Sequence, residues 1–89
     1  MIRVEFASSL QRHVPCPALD AEAGCLGEAM NAAWKIAPGL RPYVLDEQGC
    51  VRRHVAVFIN GQLLHDRADL SRPLGASDSV YIAQALSGG

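Results

Sequence analysis

Residues 54–64 read His54-Val55-Ala56-Val57-Phe58-Ile59-Asn60-Gly61-Gln62-Leu63-Leu64, and this stretch decides the fold. Val55, Val57 and Ile59 share one face of an extended chain while His54, Ala56 and Phe58 share the other, which is the alternation of a strand. Asn60-Gly61 follows at once. Both residues tolerate positive φ, so the pair predicts a tight hairpin and a brief return strand over Gln62 to Leu64.

Two more alternating segments lie at the ends of the chain. Ile2, Val4 and Phe6 face one way with Arg3 and Glu5 opposite. From Ser79 to Ala83, Val80 and Ile82 oppose Tyr81 and Ala83. Both segments are strongly apolar on one face, so they form the natural central pair of a sheet. Ala7 to Leu10 leads into a turn. His13 to Leu19 should return as a second strand, which Pro15 and Pro17 confine to a short edge.

Leu26 to Ala37 has the helical period. Leu26, Ala29, Met30, Ala33 and Ala37 fall on one side, with Trp34 and Ile36 at its margins and Gly27, Glu28, Asn31 and Lys35 opposite. Cys25 stands at the N-cap with Glu28 three residues on, a weakened capping box. Pro38-Gly39 stops the helix. Gly39 to Arg53 lacks periodicity and reads as a long connection with one short turn of helix. Leu70 and Leu74 are the core anchors of an irregular stretch around Pro73. A single helix can cover one face of such a sheet, so the expected class is α+β, with Phe58 and Tyr81 on the uncovered face.

Eighty-nine residues make one domain with a modest core. Apolar content of 49% and charged content of 19% suit an ordinary globular chain. The net charge of −1 supplies no field for phosphate backbones or anionic lipid, so neither nucleic acid nor membrane is expected as a partner. Val55 to Ile59 is too short to span a bilayer, and Arg3 and Glu5 break up any export signal, so the expected compartment is the cytoplasm. Cys16, Cys25 and Cys50 are odd in number and widely spaced, as for reduced thiols.

The sequence contains no nucleophile elbow, P-loop, dinucleotide fingerprint or zincin helix. His13, His54 and His65 lack ligand spacing, so no metal and no catalytic residue of the chain's own is expected. Arg52-Arg53-His54 reads first as a solvated basic cluster and second as a dock for an acidic surface. The segment after the last strand, Gln84-Ala85-Leu86-Ser87-Gly88-Gly89, is different. Without Cβ atoms, Gly88 and Gly89 can thread a narrow channel and carry a main-chain carboxylate to a reactive centre elsewhere. Extended, the last three residues reach roughly 10 Å.

Taken together, Arg52 to Gly61, Leu70-Ser71-Arg72-Pro73-Leu74, and Val80-Tyr81-Ile82 running on to Ala85-Leu86-Ser87-Gly88-Gly89 resemble the MoaD/ThiS group of ubiquitin-like sulfur carrier proteins. The resemblance spans essentially the whole chain. The long connection after Gly39 looks most like the carriers of cysteine biosynthesis. The resemblance implies a β-grasp fold, with a mixed four- to five-stranded sheet packed on one main helix. Residues 1–86 would then be a single domain, and 87–89 a flexible Ser-Gly-Gly tail. It also implies a mechanism in which an E1-like adenylating enzyme uses ATP to activate the Gly89 carboxylate. A sulfur donor of the persulfide or rhodanese type converts it to a thiocarboxylate, and a sulfur-accepting biosynthetic enzyme receives the sulfur.

On that basis Gly89 is the reacting residue and Gly88 and Ser87 thread the partner's channel. Phe58, Tyr81 and Leu86 are the docking residues. No cofactor is held stably. With Gly89 at the end, no processing protease is needed. Gln84 stands where the family often has proline, and Cys25 where it has Thr or Ser. Two other readings stay open: a ubiquitin-like modifier joined through Gly89 to protein lysines, and an adaptor that binds through its open sheet face without reacting. The receiving pathway is equally open among cysteine, molybdopterin, thiamine and specialised metabolites.

Overall fold

A computed structural model describes residues 1–12 and 14–84. The strands are β1 (Ile2–Phe6), β2 (Leu19–Ala21), β3 (Val55–Ile59), β4 (Gln62–Leu63) and β5 (Ser79–Gln84). The helices are α1 (Ser8–Gln11), α2 (Leu26–Ile36) and α3 (Arg41–Val44), with a 3₁₀ turn at Pro38–Leu40 before α3. The five strands form one mixed sheet in the order β2-β1-β5-β3-β4. β5 lies in the middle, parallel to β1 and antiparallel to β3. The first and last strands are therefore neighbours, as their apolar faces predict.

Alternation decides the layers. Ile2, Val4 and Phe6 of β1, Val55, Val57 and Ile59 of β3, and Val80 and Ile82 of β5 are all buried on the face that α2 covers. α2 contributes Leu26, Ala29, Met30, Ala33 and Trp34 to the same core. Trp34 packs on Phe6 with ring centroids 6.1 Å apart. Ile36, at the other margin of the helix, is 53% exposed, so the buried stripe runs along the Trp34 side alone.

The Asn60-Gly61 turn forms as its composition requires, with φ of 52° and 81°. Phe58 then faces Leu63 and Ile59 faces Gln62. Elsewhere the structure departs from expectation. The second strand begins only at Leu19 and pairs antiparallel with β1, because Pro17 removes a donor and the chain turns regular only beyond it. The Ala7–Leu10 turn closes as the single helical turn α1. The connection after Gly39 is more ordered than its lack of period suggests. It holds the 3₁₀ turn and α3, buries Leu40, Val44, Leu45 and Val51, and closes on itself through a Leu45–Val51 bridge. Asp46 Oδ1 caps that loop by accepting from the N–H groups of Gln48 and Cys50.

At the start of α2 the capping box is rearranged. Cys25 makes no side-chain cap bond, and the Glu28 carboxylate accepts instead from the Gly24 N–H at 2.7 Å. The irregular 70–74 segment ties down this end, with Gly27 N–H donating to Leu70 O at 2.7 Å and Leu26 N–H to Arg72 O at 3.0 Å. Gly27 suits the place, since a Cβ there would sit 3.1 Å from that Leu70 carbonyl oxygen. Among the described residues no helix is long and apolar enough to cross a membrane.

Candidate functional site

β5 positions the site, because it is the central strand and leads towards the glycine pair. At its end Gln84 lies opposite Val55, and Ile82 O accepts from Ala7 N–H at 2.9 Å. The Arg52-Arg53-His54 cluster immediately precedes Val55, so it sits beside the strand end from which the chain continues. Arg53 and His54 are exposed, whereas Arg52 is half-buried and donates from Nε to Pro42 O at 2.7 Å. Arg67 holds the entry to β3 by donating from Nη1 to the carbonyls of Arg52 and Val55. Ser87, Gly88, Gly89 and Leu86, the sequence-predicted reacting, threading and docking residues, lie outside the described residues, as does His13.

Phe58 and Tyr81 are brought together. They face each other across β3 and β5 on the uncovered side of the sheet, ring centroids 6.4 Å apart at 47°. Leu63 of β4 extends the row, since it lies opposite Phe58, and Glu5 of β1 lies opposite Tyr81 on the other side. Ala56 and Ala83 form the next rung. Tyr81 is 43% exposed and Leu63 42%. The result is an apolar band three strands wide, bounded towards the β2 edge by charge. There Arg3 meets Glu5 at 3.2 Å and Asp20 at 3.4 Å. Both carboxylates raise the Arg3 pKa, Glu5 chiefly by its hydrogen bond and Asp20 chiefly by its charge. Leu63 is a member of this apolar row that the sequence reading did not single out. The signal was present, because a two-residue turn at Asn60-Gly61 sets Phe58 opposite Leu63.

Other reactive side chains are arranged for structure. Cys16 is buried, and desolvation raises its thiol pKa, which keeps it protonated and inert. Cys25 and Cys50 are half-buried and unbridged. Among the described residues no three His, Cys, Asp or Glu side chains gather as a metal site.

The mixed sheet with its last strand in the middle and one long helix across one face is the β-grasp architecture of ubiquitin-like proteins. At the level of sequence, no family model and no curated protein matches the chain. Solved structures do. SAMP1 from Haloferax volcanii superposes with a TM-score of 0.76 at 21% identity, covering 99% of this chain and 98% of that one. A chain of the Amycolatopsis orientalis BexX/CysO complex gives 0.80 at 17% identity over 100% of both chains. CysO from Mycobacterium tuberculosis gives 0.80 at 20% identity, covering 97% of this chain and 100% of that one.

Proposed function

We propose that the chain is a sulfur carrier of the MoaD/ThiS type, reacting at Gly89. The observation that carries this reading is the end-to-end likeness to CysO, joined to a Gly-Gly pair that follows the central strand β5 within five residues. In the proposed cycle the Gly89 carboxylate attacks the α-phosphorus of ATP on an E1-like enzyme and pyrophosphate leaves. A sulfur nucleophile then attacks the acyl carbon and displaces AMP. Where the donor is a persulfide, a thiol reductant releases the thiocarboxylate and is itself oxidised to a disulfide. A carboxylate is a poor electrophile, and the adenylate supplies the leaving group that it lacks. The carrier contributes no acid or base. It contributes placement, through a rigid sheet that docks by the Leu63–Phe58–Tyr81 band and a slender segment that reaches the partner's centre.

Intact mass after co-expression with an activating enzyme and a sulfur source tests the reading. Replacement of one oxygen by sulfur at Gly89 is expected, and deletion of Gly89 should abolish it. An unmodified mass with ATP and a competent enzyme present would sink the proposal. The likeness to small archaeal modifier protein 1 supports a second reading, conjugation through Gly89 to protein lysines. Gly-Gly remnants on cellular lysines, absent from a Gly89 deletion, distinguish it.

A further inference from the structure

The Asn60-Gly61 turn carries a reactive pair that the fold holds in check. In an asparagine-glycine pair the backbone nitrogen reaches the side-chain amide most readily, because glycine has no Cβ to block the approach. Both residues are exposed, and a Cβ placed on Gly61 would meet nothing within 4 Å. The Gly61 N–H donates to no group among the described residues. Its nitrogen is therefore open to solvent and free to act.

The amide that would react is pinned elsewhere. Asn60 Nδ2 donates to Asp78 Oδ1 at 2.9 Å, and Asn60 Oδ1 accepts from the Ser79 N–H at 2.9 Å. Asp78 is braced in turn, since its Oδ2 accepts from the Gly75 N–H at 2.8 Å. The Asn60 N–H also donates to Ser79 O at 2.9 Å, so backbone and side chain both tie this residue to the start of β5. These bonds aim the amide at β5 rather than along the turn. Attack by the Gly61 nitrogen requires the side chain to leave both partners first.

We propose that Asn60 is a deamidation site gated by Asp78. Once the side chain is released, the Gly61 nitrogen gives its proton to solvent and bonds to Asn60 Cγ. The Cγ–Nδ2 bond breaks, and ammonia leaves with a proton from water. Water then opens the succinimide ring at one carbonyl or the other, leaving aspartate or isoaspartate at position 60. Either product loses the Nδ2 donor and sets a carboxylate against Asp78, so the lock does not re-form. Isoaspartate also lengthens the backbone of a two-residue turn, which disturbs the pairing of β3 with β4. Leu64, whose N–H donates to Val57 O at 2.8 Å, and Leu63, opposite Phe58, lie next to the change. The chemical step is independent of Gly89, and only its effect on docking through Leu63 rests on the carrier reading, so the two fail separately.

The test incubates the full chain at mildly alkaline pH and follows residue 60 by peptide mass, with isoaspartyl methyltransferase labelling to detect isoaspartate. The wild-type chain should convert at least about thirtyfold more slowly than the acetylated, amidated peptide Phe-Ile-Asn-Gly-Gln-Leu, in which no lock exists. Asp78→Ala should raise the rate in the folded chain about tenfold, with Trp34 emission reporting the fold. Asp78→Ser keeps a turn-forming residue but is one bond too short for Asn60, so it gives the same reading where the alanine variant folds poorly. After conversion the Leu64 amide should exchange its hydrogen faster than in fresh protein. A wild-type rate equal to that of the peptide would overturn the proposal. So would equal rates in wild type and the folded Asp78 variants, or an unchanged Leu64 exchange rate in the converted protein.

Discussion

Asn60 and Asp78 lock the hairpin to the start of β5: Asn60 Nδ2 donates to Asp78 Oδ1 at 2.9 Å, and Asn60 Oδ1 accepts from the Ser79 N–H at 2.9 Å. The second Asp78 oxygen accepts from the Gly75 N–H at 2.8 Å. The Asn60 bond first, and the Gly75 bond after it, hold the Asp78 carboxyl below its usual value.

The sign of the pH effect follows. A depressed carboxyl favours the folded state above its unfolded pKa of about 3.9, and that contribution disappears as pH falls through the lower folded value. Asn60→Gly keeps the positive φ of the turn and removes both side-chain bonds. Carboxyl NMR titration should show Asp78 returning upward in that variant. An unchanged Asp78 titration would refute the link.

The Phe58–Tyr81 pair gives a functional prediction. Phe58→Ala and Tyr81→Ala should each lower kcat/KM for ATP–pyrophosphate exchange by the activating enzyme more than about tenfold. Each should cost about 1 kcal/mol of folding stability, as the loss of one cross-strand aromatic partner does. Gln48→Ala, on the exposed Asp46 loop, should change neither. Equal exchange rates for all three variants would remove the band from the docking surface.

Cys25 offers a stabilising change. Its side chain makes no cap bond at the start of α2, so Cys25→Ser should raise stability by about 0.5–1 kcal/mol in urea unfolding. A neutral or negative result would mean that the Glu28–Gly24 bond already satisfies this helix end.

Leu40 tests the long connection. It is fully buried in the 3₁₀ turn, so Leu40→Ala should cost about 2–5 kcal/mol. Ile36→Ala, four residues earlier but largely exposed, should stay within about 0.5 kcal/mol. Equal effects of the two would contradict the placement of the core.

These contrasts show where sequence is a good guide. Alternation in Val55–Ile59, Ile2–Phe6 and Val80–Ile82 is a local signal, and so is the Asn60-Gly61 turn; each appears in the structure at its expected place. The paired aromatics Phe58 and Tyr81 followed from the same alternation. Leu40, Val44 and Val51 were not legible, because their burial depends on how the 38–51 connection folds back over the sheet, and no period records that. β2 slipped past Pro17 because pairing partners, not propensity, fix where an edge strand starts. The Trp34 indole N–H, buried without an acceptor among the described residues, had no signal in the sequence at all.

The parallel β1–β5 pairing has a consequence for biosynthesis. β1 leaves the ribosome first, yet its main neighbour in the sheet is the strand made last of the five, and β3 too waits for that strand. Until β5 is made, the β1–β2 and β3–β4 pairs are two separate apolar ribbons, joined through α2 and the connection that follows it. Closure of the interior is then a single late event that waits on the synthesis of β5.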